Sequence, residues 1–204
     1  MKQFWHKLTT YKSFDALRSL KKDFDFILIG GWAVFLYTHS LKSKDIDLVI
    51  DFDALAKFKK KFNVTKNERL KKYEAKKDEI DIDLYVPFYS NPGLPAEKIK
   101  NYITLREGFL VPKLEVLLIL KQGAFSQRRG SPKGEKDKID IFSLLLLSGF
   151  DFNFYKKVLE KNRKEGELDN LKELLGETTE VLELDLNRKK LADFKKGILK
   201  KLNK

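Results

Sequence analysis

Two short stretches alternate carboxylates with branched apolar residues: DIDLVID, residues 45–51, and EIDIDLYV, residues 79–86. Strand side chains point alternately to opposite faces. Asp45, Asp47 and Val49 therefore share one face of the first stretch, with Ile46, Leu48 and Ile50 on the other. In the second, Asp81 and Asp83 stand opposite Ile80, Ile82, Leu84 and Val86. Asp is depleted in strands. Two carboxylates two residues apart lie about 6.6 Å from each other along the backbone, at ~3.3 Å per residue. Such neighbours repel and raise one another's pKa. The wet face of an antiparallel sheet accounts for one strand of this kind; two of them raise the question of a cation. Mg²⁺ takes hard oxygen ligands, one or two carboxylates together with waters and phosphates. Three carboxylates can hold two metal ions about 3.5–4 Å apart.

The chain before these stretches supplies a further feature. Residues 24–30, FDFILIG, read as a central strand ending in a Gly-Gly pair, and residues 31–38 as a short helix. Gly30 and Gly31 let the backbone approach a ligand closely, and a helix N-terminus offers N–H groups and a positive dipole end to a phosphate. Ser13 is placed to cap a helix through Lys22, with Phe14, Leu17 and Leu20 inward. Asp53 opens a helix with Leu55, Phe58 and Phe62 inward. Residues 69–87 read as a hairpin turning at Lys77-Asp78, and residues 89–97 as a loop. A strongly apolar helix starts near Pro112. Residues 130–136 break the chain, another helix ends at Gly149, and three more helices fill residues 151–204. This order predicts an α+β protein: residues 1–111 form a mixed sheet flanked by helices, and residues 112–204 a C-terminal helical bundle.

The order of apolar strand, Gly-Gly, short helix, Asp-x-Asp and a later acidic strand resembles the nucleotidyltransferase superfamily, the fold of DNA polymerase beta. The pieces that carry it are Gly30-Gly31, Asp45-Ile46-Asp47 and Ile80-Asp81-Ile82, with Gly31 where many members have Ser. VPKLEVLLILKQGAFSQRRGSPKGEKDKIDIFSLL is similar to the second conserved region of small bacterial and archaeal nucleotidyltransferases related to the AbiEii toxins, through Lys121, Ala124, Arg128, Lys136-Asp137 and Asp140. The resemblance spans residues 24–147. It implies metal-dependent transfer of a nucleoside monophosphate (NMP) from an NTP to an acceptor hydroxyl or phosphate on RNA, protein or a small molecule. It implies Asp45 and Asp47 as ligands of Mg²⁺ or Mn²⁺, and Asp81 as third carboxylate with Asp83 as the second candidate. Gly30 and Gly31 would position phosphates and Lys121 neutralise charge, with Arg128, Asp137 and Asp140 in the nucleotide-binding set. Asp137 and Asp140 lie on adjacent helix positions, where they orient Lys121 or form an exposed salt bridge. A second reading keeps the fold without the chemistry, as a binding module, antitoxin or regulator.

Composition narrows the partners. The chain of 204 residues carries 35% charged residues and a net charge of +12, which favours polyanions such as RNA or nucleotides. Residues 188–204 hold eight Lys or Arg against one Asp, or +7, with Leu191, Phe194, Ile198 and Leu202 at helical spacing. Two readings stand for this tail: a solvated basic face, or a contact surface for phosphate backbones. The absence of Cys excludes a disulfide framework, a Cys-based zinc site and a thiol nucleophile. No apolar run reaches 18 residues, and residues 1–22 lack the apolar core of a signal peptide. A soluble cytoplasmic protein is expected. His6 and His39 have no partner in sequence, and Trp32 is expected to pack in the core.

Overall fold

A computed structural model describes residues 7–203; His6, Lys204 and the first residues of the segment read for a leader lie outside that range. The described residues fall into two compact units, one ending at Lys113 and the other beginning at Leu114. No helix among them is long and apolar enough to cross a membrane.

The first unit runs α1 (Lys7–Asp23), β1 (Ile27–Ile29), α2 (Gly30–Thr38), β2 (Ile46–Val49), α3 (Phe52–Lys61), β3 (Thr65–Asn67), β4 (Lys72–Lys77), β5 (Ile80–Tyr85), α4 (Ala96–Ile99), β6 (Ile103–Arg106) and β7 (Phe109–Pro112). Among the described residues, β1 to β5 form one sheet in the order β1-β2-β5-β4-β3. The pairing β2–β5 is parallel and the other pairings are antiparallel. A parallel pair needs a long crossover, here supplied by α3 and the β3–β4 segment. The expectation that residues 24–30 form a central strand is corrected. β1 has three residues and sits at the edge, while the acidic strands β2 and β5 are interior. They can be interior because one face of each is apolar and fully covered: Ile46, Leu48, Ile82 and Leu84 are 0% exposed.

Helices pack on that face. Phe24 stacks on Phe58 of α3 with ring centroids 3.9 Å apart. Trp32 of α2 is a core residue, and its indole N–H donates to the Ser13 hydroxyl at 2.9 Å. Ser13 is therefore not a helix cap; it lies buried in mid-helix, where α1 meets α2. α3 starts one residue earlier than expected, with Asp51 accepting from the Ala54 N–H at 2.7 Å as its cap. The β4–β5 turn is Asp78-Glu79, one residue beyond the expected position, with Asp78 at φ 54°.

β6 and β7 form a separate hairpin whose turn, Glu107-Gly108, has φ of 45° and 81°. Positive φ at both central positions suits a two-residue hairpin loop. The second unit contains α5 (Leu114–Arg128), α6 (Pro132–Leu145), α7 (Phe152–Lys161), α8 (Gly166–Glu177) and α9 (Arg188–Leu202). The break at residues 130–136 is shorter than expected. Ser131 caps α6 through the Gly134 N–H, and Pro132 occupies its first turn.

Candidate active site: a row of carboxylates across the sheet

The register of the sheet arranges the acidic side chains. Asp47 of β2 pairs with Asp83 of β5, and Asp83 pairs with Glu74 of β4. Residues in register share a face, so Asp47, Asp83 and Glu74 form a row across three strands, opposite the helix-covered face. Asp45 lies just before β2 and is half-buried, as is Asp47. Asp81 stands apart from this row. Its side chain is 53% exposed and pairs with Lys76 at 3.2 Å. Of the two candidates for a third carboxylate, Asp83 is the one beside Asp47.

Lys72 completes the row from β4. Two residues before Glu74, it points to the same face, and its Nζ donates to Asp83 Oδ2 at 2.6 Å and lies 3.1 Å from Glu74 Oε1. The Asn67 amide of β3 also donates to Glu74 Oε1, at 3.0 Å. Burial pushes the Asp83 carboxyl up, to about 6, and the charge of Asp47 adds to it; the Lys72 ammonium opposes both and is outweighed. Burial acts to lower Lys72, but Asp83 and Glu74 more than compensate and its pKa rises. Among the described residues no group of three His, Cys, Asp or Glu side chains is gathered closely enough to hold a metal ion.

Gly30 lies against this row. Its φ is +68°, and a Cβ there would overlap the Asp47 carboxylate. The glycine thus has a local reason besides any ligand: it makes room for Asp47. It opens α2, whose N-terminus no side chain among the described residues caps. Gly31, next in the same turn, is buried. His39 ends α2 with φ 51° and faces Glu107 at 3.6 Å.

The second unit holds its own cluster. Lys121 of α5 is buried and pairs with Asp137 at 3.1 Å and Asp140 at 2.7 Å, both on α6. Lys136 also reaches Asp140, at 2.9 Å, and Arg128 donates from Nη2 to Asp137 Oδ1 at 2.9 Å. The lysine and its aspartates thus meet as their spacing suggests, but in a buried network and not an exposed bridge. Burial pushes the Lys136 ammonium down. Asp137 is opposed by burial, yet Lys121 and Arg128 hold its carboxyl below the usual range. Asp140 Oδ1 is buried and has no hydrogen-bond partner among the described residues.

Sequence reading missed Lys72 and Glu74. Their signal was present in KYEAKK, where Lys72, Glu74 and Lys76 alternate with Tyr73 and Ala75. No protein-family model and no curated protein matches the chain. Solved structures that resemble it include the following two. JHP933 from Helicobacter pylori is 17% identical, with a TM-score of 0.51 over 95% of this chain and 93% of that one. An antigenic nucleotidyltransferase-like protein from Paracoccidioides brasiliensis is 19% identical, with a TM-score of 0.41 over 81% of this chain and 92% of that one. At 17% identity the likeness to JHP933 shows a common fold and nothing of activity. The order of strand, Gly-Gly turn, helix and two parallel acidic strands is now seen in three dimensions. The expected α+β architecture, a mixed sheet flanked by helices and followed by C-terminal helices, is the one observed.

Proposed function

We propose that the chain is a metal-dependent nucleotidyltransferase, moving an NMP from an NTP to an acceptor hydroxyl or phosphate and releasing pyrophosphate. The observation that carries this reading is the register of Asp47 beside Asp83 on parallel strands, with the Gly30 backbone against Asp47. Hard carboxylate oxygens side by side on neighbouring strands are a donor set that suits Mg²⁺ or Mn²⁺. The fit is to an ion held by one or two protein carboxylates. Asp47, with Asp45, would hold it, and Asp83 is the neighbouring carboxylate. When bound, such an ion supplies charge stabilisation to the triphosphate.

The rest is asked of the chain's own groups. Gly30 and Gly31 bring backbone and the start of α2 to a phosphate. Asp83 takes the proton of the acceptor hydroxyl. Within the helical unit, Asp137 and Asp140 hold Lys121, and Asp137 also holds Arg128. The AbiEii-related assignment of this second region rests on its sequence resemblance. Phosphoryl transfer needs mostly positioning and electrostatics, so a short list of residues can suffice.

The test is incubation with each α-³²P-labelled NTP, Mg²⁺ or Mn²⁺, and total RNA or protein, resolved on a gel. Label should enter one acceptor class, and Asp47→Asn should abolish it. Absence of transfer with all four NTPs would leave the fold as a binding module.

A further inference from the structure

We propose that Lys72 is a built-in cation of the acidic row, which engages Asp83 and Glu74 so that the row takes one divalent ion, on its Asp47 side, and not two. The inference rests on the metal-dependent reading above and concerns how many ions the row accepts. Lys72 Nζ lies 2.6 Å from Asp83 Oδ2 and 3.1 Å from Glu74 Oε1, so one ammonium joins two adjacent members of the row. Its side chain is 12% exposed and held between strands. The Asn67 amide occupies Glu74 Oε1 from the other side. A divalent ion on Asp83 Oδ2 would have to displace an ammonium at contact distance and leave it largely buried beside the dication with Glu74 as its remaining partner, which is costly. Asp47 lies on the opposite side of Asp83 from Glu74.

The neighbouring pair supplies the contrast. Lys76 and Asp81 are two residues along the same strands and on the same face, 3.2 Å apart, but their side chains are 72% and 53% exposed. Water screens that pair, so Lys76 removes an equal formal charge without touching the row.

The test is Mn²⁺ titration of the full chain without nucleotide, reading free Mn²⁺ by electron paramagnetic resonance, with circular dichroism melts to establish that each variant folds. The wild type should bind one Mn²⁺, lost in Asp47→Asn. Lys72→Met should acquire a second, at least about tenfold tighter than any further binding to the wild type, the scale of one close charge. Lys72→Arg should keep the wild-type stoichiometry, and Lys76→Met should resemble the wild type. Lys72→Gln, neutral but able to donate, serves if the methionine variant does not fold. Two ions on the wild type, an unchanged count in the Lys72 variants, or an equal gain in Lys76→Met would each overturn the proposal. One wild-type ion with unresponsive Lys72 variants sinks the role of Lys72 alone. No wild-type ion at all also overturns the proposal, and the transfer assay decides the metal-dependent reading separately.

Discussion

Gly30 and Asp83 carry the tightest physical constraints of the candidate site. At Gly30 an alanine meets two penalties: a left-handed backbone costs an L-residue roughly 1–2 kcal/mol, and its Cβ would overlap the Asp47 carboxylate. Gly30→Ala is expected to destabilise the chain by more than the backbone cost alone. In an Asp47→Ala background part of the penalty should go, because the overlapping carboxylate is removed while the residue 47 Cβ, at 2.8 Å, stays. Urea unfolding of the four proteins measures the coupling, and additive effects would remove the contact from the explanation. Asp83 gives a pH prediction. Its carboxyl is raised from 3.8 to about 6, so between these values the folded state keeps a proton that the unfolded state has released. Stability from this group is full below 3.8 and declines as pH rises through 6, by up to about 3 kcal/mol. The stability of Asp83→Asn relative to wild type should therefore grow by that order from pH 4 to pH 7; a constant difference would refute the raised carboxyl. Asp47 was legible in the sequence because its alternation is local. The choice of Asp83 over Asp81 was not, since both share a face and only the register with β2 separates them.

The elements were legible where periodicity and punctuation agreed. The Gly-Gly turn, α2 and the β4–β5 hairpin follow from strand alternation and turn residues. The β6–β7 hairpin was missed because its turn, Glu107-Gly108, has only one residue that favours positive φ. GSPKG reads as a break by its Gly and Pro, yet Ser131 and Pro132 are also good first residues for a helix, and α6 starts there. The two helices on either side of that break carry the third prediction. Lys121 sits 2.7 Å from Asp140 and 3.1 Å from Asp137, and these two carboxylates are 0% and 1% exposed. Removing one partner of a buried pair costs about 3–5 kcal/mol, because the other charge stays buried. Lys121→Ala should thus lower the melting temperature strongly, and not only turnover as an NTP contact would. Lys121→Met combined with Asp140→Asn should recover part of the loss. A melting temperature unmoved by Lys121→Ala would mean that the network contributes nothing to the fold. Transfer activity of the variant must be read below its own transition, so that a catalytic role is separated from a structural one.

At the scale of the whole molecule, charge is the property that neither unit's core explains. The net charge is +12, and α9 holds much of it in an ordered way. Leu191, Ile198 and Leu202 are buried along one side of that helix. Lys189, Lys196 and Lys200 follow the same spacing two residues earlier, which turns them about 200° away at ~100° per residue, and all three are exposed. The apolar line fixes the helix to its unit, so the cationic line is presented as a row and not as scattered side chains. Such a row matches the phosphates of a nucleic acid better than it matches a single nucleotide. Single-stranded RNA binding should therefore weaken steeply with salt, with a slope of about −0.7 for each phosphate neutralised. Replacing Lys189, Lys196 and Lys200 by Ala should flatten that slope by up to about 2 and weaken RNA binding at low salt, since three contacts are lost. The melting temperature should hold, because the buried line is untouched. Filter binding of a mixed-sequence RNA at 50 and 200 mM salt would measure both slopes. Equal slopes for the two proteins would assign the row to solvation alone and move the search for an RNA surface to the other unit.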